Sequence, residues 1–208
     1  MICLFLDTSS NLLKVSLVNN DKLLYDKELT TKNDHSSFLL PCIRDAFQKN
    51  NIKYTDLDRI IVGIGPGSFT GTRISITVAK TYAFLNNIPI IPISSLEMMI
   101  YGVENYDYYV PLIEDKNNNV FFGIYDSQRK RVYDDSYKNI DDLYEILSNY
   151  NGKIALISGN KKYDKYDTFD KKIDSIKISE NILINNSEIN PHILKPNYIK
   201  KIEVESKL

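Results

Sequence analysis

The 208-residue sequence predicts an α/β fold in which helices cover mixed sheets, arranged as two related lobes. Three observations carry that prediction. Three strand-like segments open the chain, alternating helix-like and strand-like segments follow them, and from about Asn105 the same order returns in weaker form.

"ICLFL", Ile2 to Leu6, is an unbroken apolar run and reads as a strand buried on both faces. In "LKVSLV", Leu13, Val15 and Leu17 alternate with polar neighbours. An Asn19-Asn20-Asp21 turn then leads into "KLLYDKEL", with Leu23, Tyr25 and Leu29 on one face. After the polar "TTKNDHSS", Leu39, Cys42, Ile43, Ala46, Phe47 and Asn50 fall on one stripe of an amphipathic helix. Ser36 or Ser37 is placed to cap it, and Pro41 lies about a turn from its start, where a missing N–H costs least. The strand "RIIVGI" follows, then a glycine-rich turn, a helix from about Thr70 to Asn87, and a strand in "IPIIPI". A meander crossed back by α/β units, βββαβαβ, is the layout of ribonuclease-H-like folds.

In the second half "YYVPLI", "NVFFGIYD", "KRVYDDSY" and "KIALIS" read as strands and "IDDLYEILSNY" as a helix. The division expected is 1–104 for the first lobe and 105–208 for a smaller second lobe with a terminal tail. From Gly159 to Asn190 the composition turns to Lys, Asp, Asn and Tyr with little periodicity, which predicts loop and short pieces. The 15 tyrosines share no spacing, so they read as composition and not as an aromatic binding surface.

A chain of this length buries roughly 70% of its unfolded surface and needs no covalent staples. Its two cysteines, Cys3 and Cys42, fall in core patterns without the spacing of a metal knuckle or redox pair. No stretch approaches the roughly eighteen apolar residues of a membrane span, and "MICLFLDTSS" lacks a basic leader region, so the expected location is the cytoplasm. With 26 Lys+Arg against 27 Asp+Glu, there is no positive surplus to hold a polyanion; nucleic acid would have to be gripped by a partner.

"RIIVGIGPGSFTGTRIS" is the segment with chemistry in question. Glycines at 63, 65, 67 and 71 permit positive φ and close approach, and a helix starting near Thr70 points its free N–H groups at whatever lies over the turn. Two readings stand. One is an anion cradle. The other is a tight strand-to-helix turn with Ser68 or Thr70 as cap. Neither nucleotide fingerprint is present: Gly71-Thr72-Arg73 replaces the Walker Gly-Lys-Ser/Thr, and Ser68 stands where a dinucleotide fold needs glycine. Along the helix, Gly71, Ser75, Ala79 and Ala83 make a ridge of small side chains beside an apolar ridge of Ile74, Val78, Tyr82 and Leu85. The small ridge would let another helix approach closely, from this chain or from a second one.

"LDTSS", "HSSFLLP", "GIGPGSFTGTRISITVAK" and "IPISSLEMM", in that order and spacing, resemble the TsaB (YeaZ) family of bacterial tRNA threonylcarbamoyladenosine biosynthesis proteins. The likeness is close over about the first 100 residues and loose afterwards, where "KPNYIK" is similar to the family's terminal segment. The resemblance implies a two-lobed actin-like ATPase (ASKHA) fold. It implies a noncatalytic subunit of the complex that threonylcarbamoylates adenosine 37 of ANN-decoding tRNAs. Its partners would be a catalytic TsaD-type paralogue and a small TsaE-type ATPase, with a homodimer when alone and tRNA reached only through the complex. Partner contacts are then expected at Leu39, Ile43 and Phe47 of the first helix and at Arg73, Ser75, Ile76, Ala79, Lys80 and Ala83 of the second. A phosphate, or ATP/ADP at the joint with the partner, would lie near Asp7, Thr8, Ser9, Gly65, Gly67, Ser68, Thr70 and Gly71.

The catalytic paralogue carries His-Met-Glu-Gly-His where this chain has Ser95-Leu96-Glu97-Met98-Met99, and neither serine nor methionine replaces imidazole as a ligand. With only His35 and His192, no histidine pair has metal spacing, so no intrinsic metal and no catalytic residue is expected. His35 reads as a residue at the start of a helix. Asp7 stands where actin-like ATPases keep a magnesium-associated carboxylate, but Asp7-Thr8-Ser9 replaces Asp-x-Gly, and a cap or hairpin role is equally open. The family has a further amphipathic helix before its terminal segment. "ISENILINNSEINPHILKPNYIK" shows two prolines and no sustained stripe, so a trimmed second lobe is expected. The competing readings are a small kinase or ATPase working through Asp7 and the turn, and a peptidase acting on the paralogue.

Overall fold

The computed structural model describes residues 1–31, 34–159, 161–185 and 188–200, without the side chains of 182–185. In chain order the elements are β1 (Ile2–Asp7), β2 (Leu12–Asn19), β3 (Lys22–Thr30), α1 (His35–Asn50), β4 (Arg59–Gly63), α2 (Phe69–Asn86) and β5 (Ile90–Ile93). Then come β6 (Tyr108–Glu114), β7 (Asn119–Asp126), β8 (Arg131–Asn139), α3 (Ile140–Leu147), β9 (Ile154–Ser158), β10 (Asp167–Asp170) and α4 (Ser175–Asn185).

Unit 1 comprises residues 1–95 and 174–197. Its five-stranded sheet has the order β3-β2-β1-β4-β5, with β1 antiparallel to β2 and parallel to β4. Leu4, Leu6, Leu13, Val15, Leu17, Ile60 and Val62 form one buried cluster with the inner stripes of α1 and α2. Each large aliphatic side chain buried there contributes about 1.5–3 kcal/mol. The alternate residues Cys3, Phe5, Lys14 and Ser16 are also buried, because the strand pleat sends them to the opposite face, where α4 lies. That face is polar in part: Lys14 reaches Asp26 and Glu28, both at 2.7 Å, and Ser175 Oγ donates to Ser16 Oγ at 2.9 Å.

Unit 2 comprises, among the described residues, 96–173 and 198–200. Its sheet repeats the plan as β10-β9-β6-β7-β8, with β6 antiparallel to β7 and parallel to β9. Val110, Leu112, Val120, Phe122, Ile124 and Leu156 pack with Leu143 and Leu147 of α3. The short 3-10 helix Glu97–Gly102 is fastened by two arginines of the β7–β8 hairpin. Arg129 donates to the carbonyls of Ile100 and Val103 at 2.7 and 2.6 Å, and Arg131 pairs with Glu97 at 3.3 Å. Burial pushes the Glu97 carboxyl above its ordinary range, with Arg131 opposing. Lys200 pairs with Asp115 at 2.7 Å.

Three expectations are corrected. α1 begins at His35 with Asp34 before it making no side-chain cap, so neither Ser36 nor Ser37 caps it and Pro41 lies in its second turn. The stretch expected as loop contains β10 and the 11-residue α4, whose inward side chains Ser175, Ile178 and Ser179 are buried. Serines facing the polar side of the sheet give no apolar stripe, which is why periodicity does not show the helix. Residues 174–197, placed with the second lobe by their position in the chain, join unit 1, because α4 covers its sheet and Ile189 bridges to Ile90 of β5. Lys32, Asn33, Asn160, Asn186 and Ser187 lie outside the described residues, as does the tail beyond Lys200. No described helix is long and apolar enough to cross a membrane.

Candidate functional site

β1 and β4 run parallel with Leu6 beside Val62, so Asp7 at the end of one strand lies next to Gly63 at the end of the other. Any Cβ on Gly63 would collide with the Asp7 carboxylate, so glycine is required there by close approach. The Asp7 side chain is fully buried. It accepts from the Ser9 backbone N–H at 3.2 Å, the Ser9 hydroxyl at 3.1 Å and the Ser95 hydroxyl at 3.0 Å. Ser95 Oγ accepts in turn from the Gly65 N–H at 3.1 Å, and the Ser95 N–H donates to the Gly65 carbonyl at 2.9 Å.

The next two residues fill the mouth of the glycine turn. Thr8 Oγ1 donates to the Gly71 carbonyl at 2.6 Å and accepts from the Ser75 N–H at 3.2 Å. The Ser9 carbonyl accepts from the Ser68 N–H at 2.5 Å. A Cβ on Gly67 would strike the Ser9 carbonyl oxygen and one on Gly71 the Thr8 carbonyl oxygen; Gly67 also has φ 148°. Ser68 caps α2, its hydroxyl accepting from the Gly71 N–H at 3.1 Å, while Thr70 is exposed and is not the cap. Thr72 Oγ1 and the Thr72 N–H both return to the Ser68 carbonyl. On the far side, the Asn197 N–H donates to the Ile64 carbonyl at 2.7 Å.

These residues do not fit a magnesium nucleotide. Asp7 has at least three of its roughly four acceptor positions taken by neighbours in the same chain. Thr8 and Ser9 are both fully buried and bonded to Gly71, Ser75 and Ser68 at the start of α2, and Gly65 and Gly71 are buried too. The structure thus brings the phosphate-side residues together, but bonded to one another. Among the described residues no group of three His, Cys, Asp or Glu side chains could hold a metal ion. His35 is buried with Nδ1 3.0 Å from Thr31 Oγ1, and His192 is exposed with its ring 5.1 Å from that of Phe84.

The expected partner residues divide. Leu39, Ile43, Phe47, Ser75, Ile76, Ala79 and Ala83 are all buried in unit 1, at 0–8% exposure. The small ridge packs inward on the sheet and brings α2 close to it, so these side chains are not presented to a second chain. Arg73 is exposed and stacks over the Phe69 ring at 3.9 Å; Lys80 is half-buried, its ammonium 3.3 Å from the Leu194 carbonyl. The outward side of α2 is instead Thr70, Arg73, Thr77, Thr81, Phe84 and Leu85, with Phe84 62% and Leu85 72% exposed. Ile193, 63% exposed, continues the apolar area beside His192. Phe84 was the omission: on a helical wheel it lies opposite Gly71, Ser75, Ala79 and Ala83, so the choice of inward ridge decides the outward one.

An acidic strand end set against a glycine-rich strand-to-helix turn, in a mixed-sheet unit whose topology recurs in a second unit, defines a protein of the two-lobed actin-like superfold. The family model for tRNA N6-adenosine threonylcarbamoyltransferase, TsaD, matches residues 28–181. The TsaB protein of Bacillus subtilis is 25% identical over 100% of this chain and 97% of its own length. That of Haemophilus influenzae is 31% identical over 57% of this chain and 51% of its own. Among solved structures, YeaZ from Pseudomonas aeruginosa superposes with a TM-score of 0.80 at 19% identity, covering 95% of this chain and 99% of that one. The chain belongs to the TsaB (YeaZ) family, paralogous to the threonylcarbamoyltransferases.

Proposed function

We propose that this protein is a noncatalytic scaffold subunit in the formation of N6-threonylcarbamoyladenosine at position 37 of ANN-decoding tRNAs. It docks on the threonylcarbamoyltransferase paralogue through the outward side of α2 and the adjoining α1. The names carried by its relatives support the pathway. The observation that carries the noncatalytic reading is the closure of Asp7, a carboxylate whose neighbours Ser9 and Ser95 occupy it from within the chain. Phe84 and Leu85, large apolar side chains more than half exposed, support docking at α2.

ATP or ADP, in this reading, is bound with the paralogue's groups and not by Asp7, and the small ATPase and tRNA meet the assembled pair. Alone, the chain pairs with a second copy over the same surface, and it works in the cytoplasm. The kinase or ATPase alternative requires Asp7, Thr8 and Ser9 to exchange their present bonds for ligands. For the peptidase alternative, the hydroxyl–imidazole pair seen among the described residues is Thr31 and His35, and both are buried.

The test is reconstitution of tRNA threonylcarbamoylation from purified components. Paralogue plus this chain forms product, whereas each alone does not; product from this chain alone, or full rate from the paralogue without it, defeats the reading.

A further inference from the structure

We infer that Thr8 is a positioning residue for the docking helix, setting the direction in which α2 leaves the glycine turn; the inference rests on the docking reading above. In an α-helix the Ser75 N–H faces the Gly71 carbonyl, four residues back. The Thr8 hydroxyl reaches both members of this pair, donating to the Gly71 oxygen at 2.6 Å and accepting from the Ser75 nitrogen at 3.2 Å. A side chain from the turn that follows β1 is therefore threaded into the hydrogen-bond ladder of the first turns of α2, a recognised way of fixing or bending a helix at one point. The hydroxyl is fully buried, so no water replaces it there without opening the site.

Backbone fit reinforces the clamp. Gly71 lies directly on the Thr8 carbonyl and Gly67 on the Ser9 carbonyl, where no Cβ has room. The Ser68 N–H is held by Ser9 immediately before the helix starts. The start of α2 thus has one seat, on the turn that follows β1, and everything beyond it swings from that seat. Phe84 lies 13 residues past Gly71, about 20 Å along the axis, so a tilt of about 5° displaces it by about 2 Å. A displacement of that size is enough to spoil a packed helical contact.

The experiment uses the full chain with Thr8→Val, which keeps the shape and loses the hydroxyl, and Thr8→Ser, which keeps the hydroxyl. Leu143→Ala, in the α3 core of unit 2, serves as a control for general loss of stability. Two quantities are read: affinity for the paralogue by calorimetry, and amide hydrogen exchange of residues 69–76 in the isolated chain. Thr8→Val speeds exchange there and weakens binding about tenfold, Thr8→Ser stays within about twofold of the parent, and Leu143→Ala binds as the parent does. Parent-like binding by Thr8→Val, with or without faster exchange, overturns the inference. So does a loss in Leu143→Ala equal to that in Thr8→Val. If the parent chain itself does not bind the paralogue, it is the docking reading that fails, and unchanged exchange in Thr8→Val then separately rejects any role for Thr8 in seating α2.

Discussion

Replacing Phe84 by alanine separates docking from folding. The ring is 62% exposed and makes an edge contact with His192 at a centroid distance of 5.1 Å, so its truncation removes little from the isolated chain. A cost of about 1 kcal/mol or less corresponds to a fall of about 2–4 °C in Tm for a chain of this size. In the complex the exposed part is covered. A phenylalanine side chain offers about 200 Å², of which 62% is about 120 Å², worth about 3 kcal/mol at about 25 cal/mol per Å² or about 150-fold in Kd. Area overstates affinity in general, but residues of this type at the centre of an interface approach such values. The assay is calorimetric or surface-immobilised binding of the variant to the paralogue, alongside a thermal melt. A Kd within about twofold of the parent, with the melt unchanged, refutes the placement of the interface on this side of α2.

Ala79→Arg, placed on the inward ridge, acts on the fold: the side chain has no room at a fully buried position, and the melt drops by several kcal/mol or the chain does not fold, whereas a soluble, native-like variant would contradict the packing described. Gly71→Ala adds a methyl against the Thr8 carbonyl; it destabilises by about 1–3 kcal/mol despite the better helix propensity of alanine, and a denaturant midpoint at or above the parent's would show that α2 sits elsewhere. Glu97→Gln removes a carboxyl whose folded pKa burial raises above its unfolded one. Its ionisation therefore opposes folding above the unfolded pKa and is without cost below it. The variant gains on the parent as pH rises through about 4.5 toward neutrality and not in acid, so a pH-independent difference in Tm would exclude this cause.

Much of the fold is legible because apolar spacing reports burial directly. The unbroken run at Ile2 to Leu6 and the alternation at Leu13, Val15 and Leu17 correspond to β1 and β2, and the stripe at Leu39, Ile43 and Phe47 to α1. α4 is different: it buries Ser175 and Ser179 against Ser16 and the Cys3 thiol, and a helix that seats itself with serines leaves no apolar period. Lys14 escapes for the same reason. It reads as the polar member of an alternating strand, yet it is 1% exposed, with two carboxylates beside it. At the candidate site the spacing of Asp7, Thr8, Ser9 and the glycines marks a place where two strand ends meet. It cannot say whether the space between them is open.

By itself, then, the sequence determined the order of strands and helices as far as β9, the duplicated α/β plan, a cap at either Ser68 or Thr70 and the family the chain resembles, since each follows from local periodicity, turn chemistry or motif spacing. The tertiary structure alone decided two things. One was that Thr8 and Ser9 fill the glycine turn, with Asp7 consumed by Ser9 and Ser95, because this depends on residues far apart in the chain meeting at hydrogen-bond distance. The other was which side of α2 faces out. That helix carries a small ridge and a large one, and packing sets both against the core, the small ridge fully and Ile74, Val78 and Tyr82 partly, so that the side left to solvent is a third one, where Phe84 and Leu85 lie.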